Sequence, residues 1–75
     1  MNEDRRNAIK KAKLLLEESY NILNNVLDSE GEAMNNVPEN LQFSNKYENM
    51  EQNVDALDDA ISLIDDAINS ISVIH

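Results

Sequence analysis

Seventy-five residues with a net charge of −9 and no cysteine make at most one small domain, without disulfides or thiolate metal sites, and fit a reducing compartment. A chain this short buries a modest fraction of its surface, which leaves association with another subunit as the remaining route to stability. The charge is uneven: Arg5, Arg6, Lys10, Lys11 and Lys13 are five of the six basic residues, and from Val37 onward one lysine stands against eight acids, a net of −7 that repels nucleic acid and membrane surfaces and favours basic partners.

Asn2 is placed to cap a first helix, with Glu3 and Asp4 in the first turn, where carboxylates suit the positive end of the helix dipole. From there Ile9, Ala12, Leu16, Ser19, Leu23 and Val26 recur at alternating steps of three and four, the spacing that keeps one seam of a helix against a partner. A second line, Ala8, Leu15 and Ile22, runs beside it, and a third, Tyr20, Leu27 and Met34, lies on the other flank. The stripe is roughly 160° wide, more than a single neighbouring helix covers. Gly31 costs about 1 kcal/mol relative to alanine inside a helix, yet Ala33 and Met34 continue the period. Helix 1 is therefore expected over about 3–35, with local softness at Gly31, and Pro38 excludes its continuation.

Residues 36–45 form the connection. Leu41 and Phe43 are apolar enough to be expected to fold back and plug the end of the helix pair. Ser44 or Asn45 caps the next helix; with Asn45 as the cap, Glu48 falls at the third helical position of a capping box.

Helix 2, about 45–74, carries the most regular pattern: Tyr47, Met50, Val54, Leu57, Ile61, Ile64, Ile68 and Ile71 keep the coiled-coil spacing. Asp58, Asp59, Asp65 and Asp66 fall on the watery side. Ala60, Ala67 and Ile74 flank the seam, with Ala56 and Leu63 farther round. Near-equal helices and a short loop predict an all-α, antiparallel, coiled-coil-like two-helix hairpin, a single domain over 1–75. The surplus apolar surface predicts a homodimer forming a four-helix bundle.

At the loop, Val37-Pro-Glu-Asn-Leu-Gln-Phe-Ser, followed by Tyr47-Glu-Asn-Met-Glu and repeated Asp-Ala-Leu-Asp-Asp-Ala units, resembles a family of small acidic helical proteins encoded by phages, prophages and mobile elements of bacteria. Its usual form has Leu-Pro-Glu-Asn-Leu-Gln before acidic Ala- and Leu-rich heptads; here valine precedes the proline, Gly31 stands where an acid is usual, and aspartate replaces glutamate in the heptads. The resemblance implies an accessory role in a viral context and no particular chemistry.

Catalysis is not indicated. The paired aspartates are seven residues, or about 10.5 Å, apart along the helix, without the oxygen-rich loop of a calcium site or the Glu-x-x-His pair of a di-iron bundle. The single histidine, His75, is terminal, and one glycine cannot build a phosphate loop. No cofactor or metal is expected. The basic first turns are expected to pair with Asp65 and Asp66 rather than to contact nucleic acid. There is no signal-peptide-like apolar run and no span near the roughly eighteen apolar residues of a membrane helix, so the expected setting is the cytoplasm, without a membrane partner. The expected function is protein binding, with a host DNA-handling or defence enzyme as one class of partner. The acidic face, Asp55, Asp58, Asp59, Asp65 and Asp66, is the candidate surface if the chain mimics DNA. Leu15, Tyr20, Ile22, Leu27, Met34 and Leu63 form the candidate surface for a dimer or partner helix.

Overall fold

The computed structural model describes residues 1–75. Two helices, α1 (Glu3–Asn35) and α2 (Asn45–Ser72), are joined by a segment holding one short 3-10 turn, Glu39–Leu41. The all-α hairpin expected from the heptads is what the chain forms. At 1.5 Å per residue the helices are about 50 and 42 Å long, and the molecule is a rod 60 × 14 × 14 Å. Two straight helices lying flat would be only about 5 Å thick in Cα positions; equal widths are what two helices winding around each other produce.

Both helix starts are set by short polar side chains. The Asn2 side chain accepts from the Arg5 backbone N–H at 2.9 Å, with Glu3 and Asp4 in the first turn. At α2 the cap is Ser44, whose Oγ accepts from the Tyr47 N–H at 3.2 Å and donates to the Leu41 carbonyl at 2.7 Å. One hydroxyl thus ties the loop to the second helix, and the Asn45–Glu48 capping box is not formed.

Between the helices, each turn closes on the next. Asn36 N–H donates to the Glu32 carbonyl, Leu41 N–H to Pro38, Gln42 N–H to Glu39 and Ser44 N–H to Leu41. Gln42 Nε2 reaches back to the Val37 carbonyl at 3.4 Å. These turns fix where the loop side chains lie, and the expectation of an apolar plug fails: Phe43 is 92% exposed and Leu41 50%. Met34, Val37 and Tyr47, all half-buried, already close that end of the seam.

The core is a single seam. On α2 the eight residues of the predicted line, Tyr47 through Ile71, all lose exposure, with Ala60 and Ala67 beside them, and Ile61, 8% exposed, is the one residue of the chain that is buried. On α1 the register differs from the expected one. Leu16, Tyr20, Leu23, Leu27 and Met34 are half-buried, whereas Ala12, Ser19 and Val26 are exposed. The physical reason is size. Both lines share Ile9, Leu16 and Leu23, so the choice is between Tyr20, Leu27 and Met34 on one flank and Ser19, Val26 and Ala33 on the other. At about 25 cal/mol per Å² of apolar surface removed from water, the larger set wins. Lys13 joins this seam half-buried, as a lysine stem can while its ammonium reaches water.

Candidate functional site: two unlike faces of the hairpin

Of the six apolar residues expected to meet a dimer or partner helix, the structure divides the set. Tyr20, Leu27 and Met34 belong to the α1–α2 seam. Leu15, Ile22 and Leu63 stay open to solvent, 53%, 54% and 68% exposed. These three mark a second seam on each helix, one residue back from the first. On α1 it is Ala8, Ala12, Leu15, Ser19, Ile22 and Val26, then Ser29 and Ala33; on α2 it is Asn53, Ala56, Ala60, Leu63, Ala67 and Ser70, then Ile74. Steps again alternate between three and four; over these stretches neither line holds a charged residue, and Arg5 and Lys46 continue the two lines into the first turn of each helix.

The two second seams share one side of the molecule. A step back of one residue is a turn of about 100° around a helix. Because α1 and α2 run in opposite directions, that step turns clockwise on one and counter-clockwise on the other when both are viewed from the same end. The lines therefore meet on a common face. A shallow cleft of about 350 Å³ lined by Val26, Glu30, Asn53, Ala56 and Leu57 lies there, bridging both helices. The signal that would have found this face from the sequence is the absence of charge from Ala8 to Ala33 and from Asn49 to Ile74 on the offset lines.

The step forward leads to the opposite side, where charge collects. On α2 it gives Glu48, Glu51, Asp55, Asp58 and Asp65, and on α1 Lys10, Glu17 and Asp28. Of the five candidate acids, Asp55, Asp58 and Asp65 occupy this charged face. Asp59 and Asp66 point directly away from α1, on the back of α2. All five are exposed.

A third feature is a cleft of about 420 Å³ at the open end, lined by Arg6, Ile9, Lys10, Lys13, Ile71, Ser72, Ile74 and His75. The basic first turns therefore gather around the last turn of α2; Asp65 and Asp66, their expected partners, do not line this cleft. The last turn of α2 has no basic residue of its own. Lys10 and Lys13 bring positive charge to the carbonyl end of its dipole from the neighbouring helix.

No group of three or more histidine, aspartate or glutamate side chains converges to hold a metal ion, and no helix is long and apolar enough to cross a membrane. Comparison with protein families, curated proteins and solved structures gave no match.

Proposed function

We propose that the chain is a non-enzymatic protein-interaction module of the cytoplasm that presents the acidic face of α2 to a basic surface of another protein. The observation that carries this reading is the segregation of charge. One side of the hairpin carries few ionised groups, Glu30 at its cleft and Arg5 and Lys46 at its ends among them, while Asp55, Asp58 and Asp65 stand exposed on the other, with Glu48 and Glu51 in line. On that face five carboxylates, from Glu48 to Asp65, span about 26 Å, roughly one per 5 Å. A row of negative charge at that spacing is of the same order as the one phosphate per 3.4 Å along a single DNA strand, so a DNA-handling or defence enzyme with a basic groove is the partner class that suits it best. The likeness of the loop to small acidic phage and mobile-element proteins supports an accessory role acting on such a host protein.

The test uses two matched baits in a bacterial extract, the native chain and an Asp55→Asn/Asp58→Asn/Asp65→Asn variant. The expected result is a protein held by the native bait, lost with the variant, and released at about 0.5 M salt, where screening shrinks to a few ångström. A protein held equally by both baits and indifferent to salt would overturn the acidic-face reading. That result would favour a second reading, a helical adaptor or assembly protein, which the exposure of Leu15, Ile22 and Leu63 supports.

A further inference from the structure

From the uncharged face we infer that it is the dimer interface, and that it takes a second copy of this chain with its two-fold axis parallel to the helices, so that both loops lie at the same end. The inference concerns the side opposite the acidic ladder and holds whatever that ladder engages.

The area argument comes first. The chain exposes 5741 Å², whereas a compact monomer of its mass exposes about 4,650 Å². The excess, roughly 1,100 Å², exceeds the roughly 800 Å² that each partner contributes to a standard interface. The radius of gyration, 17.3 Å, likewise exceeds the value of about 11 Å for a compact domain of this length. The molecule has the surface of half an assembly.

The orientation follows from side-chain size and from symmetry. A two-fold axis parallel to the helices involves no shift along them, so α1 meets the second copy's α2 at the level at which it meets its own. The clefts give that level: Val26 and Glu30 share one with Asn53, Ala56 and Leu57, which centres Val26 near Ala56, and Arg6, Ile9, Lys10 and Lys13 share the other with residues of the stretch from Ile71 to His75. Stepping in opposite directions along the two uncharged seams brings Ile22 level with Ala60, Ser19 with Leu63, Leu15 with Ala67, and Ala8 with Ile74. At each of these levels a large side chain faces a small one, the alternation that lets facing layers interdigitate. With the axis perpendicular to the helices, α1 would lie on its own copy and α2 on its own. The small and polar line of α2, with Leu63 as its one large apolar residue inside the helix, would then face a copy of itself.

Charge favours the same choice. α2 holds Lys46 against seven acids, and α1 five bases against seven acids, so their net charges are −6 and −2. The parallel axis makes every adjacent pair one α1 and one α2 and sets the acidic helices on the diagonal; the perpendicular axis puts the two −6 helices side by side. Like charge at short range is destabilising.

Sedimentation across protein concentration reads the assembly, and cysteine pairing reads its orientation, on a chain with no cysteine of its own. The expected mass is about 17 kDa, twice the chain's 8.5 kDa. Ile22→Glu or Leu63→Glu should weaken the dimer on the order of 100-fold, since symmetry repeats each lost apolar contact. Mixing Ser19→Cys chains with Leu63→Cys chains under oxidised glutathione, which takes up the two thiol hydrogens, should give a disulfide-linked pair. Ser19→Cys alone should not link to itself. A mass of 8.5 kDa at millimolar concentration would overturn the interface and leave the face to a foreign helix. Self-linking of Ser19→Cys or Ile22→Cys would overturn the orientation.

Discussion

The two helices differ in how many apolar lines they offer, and that difference governs how plainly each announces its partner. α2 is punctuated by carboxylates on every side but two, and its large side chains, Leu57, Ile61, Ile64 and Ile68, fall on one line. Its second line is mostly small or polar, with Leu63 as the one large apolar residue inside the helix. α1 spreads large residues over three neighbouring lines, with Leu15 and Ile22 on one, Leu16 and Leu23 on the next, Tyr20 and Leu27 on the third. Periodicity alone cannot rank lines that share a period. Volume can, because the α1–α2 contact closes over whichever pair of lines removes the most apolar surface from water.

The comparison is broken most severely at its centre. Ile61→Asp places a carboxylate at the one buried position of the chain; the expected cost is about 3 kcal/mol or more, seen as loss of the cooperative transition in circular dichroism. If the melt survives, the seam is not the core. Next is the register of α1. Leu27→Ala should cost about 2–3 kcal/mol in urea unfolding at any protein concentration, whereas Val26→Ala should cost under about 1.5 kcal/mol, an effect that fades on dilution. The reverse order would restore the Ala12–Ser19–Val26 seam. The helix starts come third. Ser44→Ala should cost about 1 kcal/mol, while Asn45→Ala shifts the midpoint only within a few tenths; equal losses would mean that the cap is shared. The smallest effect is a gain on α1. An added Cβ at Gly31 meets nothing within 4 Å, so Gly31→Ala should stabilise by up to about 1 kcal/mol. Hydrogen exchange of the amides after residue 31 should slow with it, and unchanged exchange would show that the helix is not soft there.

Where the sequence was sufficient, a local rule had no competitor. Asn2 before two acids and a heptad, and the start of α2 just ahead of Tyr47, are read from hydrogen-bonding chemistry that acts over three or four residues. The sequence left Ser44 and Asn45 as alternatives because both side chains accept hydrogen bonds. Ser44 prevails since its hydroxyl can also donate to the Leu41 carbonyl, a link only the folded loop reveals. Phe43 shows a different failure. Its hydrophobicity argues for burial, but a rod this narrow has no interior beyond its seam, and Met34, Val37 and Tyr47 already occupy the end. Of the candidate site, the acids were legible as exposed. That three of them share a side opposite an uncharged face was not, because it depends on combining two helices of opposite direction.

No residue has a positive φ, no peptide bond is cis, and the lone glycine sits in an ordinary helical turn. The backbone therefore makes no demand on side-chain identity anywhere between the caps: no position needs glycine for its geometry. What the architecture requires is a rhythm of bulk and charge, which many different residues can keep. A hairpin of this kind can drift far in composition while holding its shape, and its acidic side, bound by no packing at all, can be retuned to a new target one carboxylate at a time.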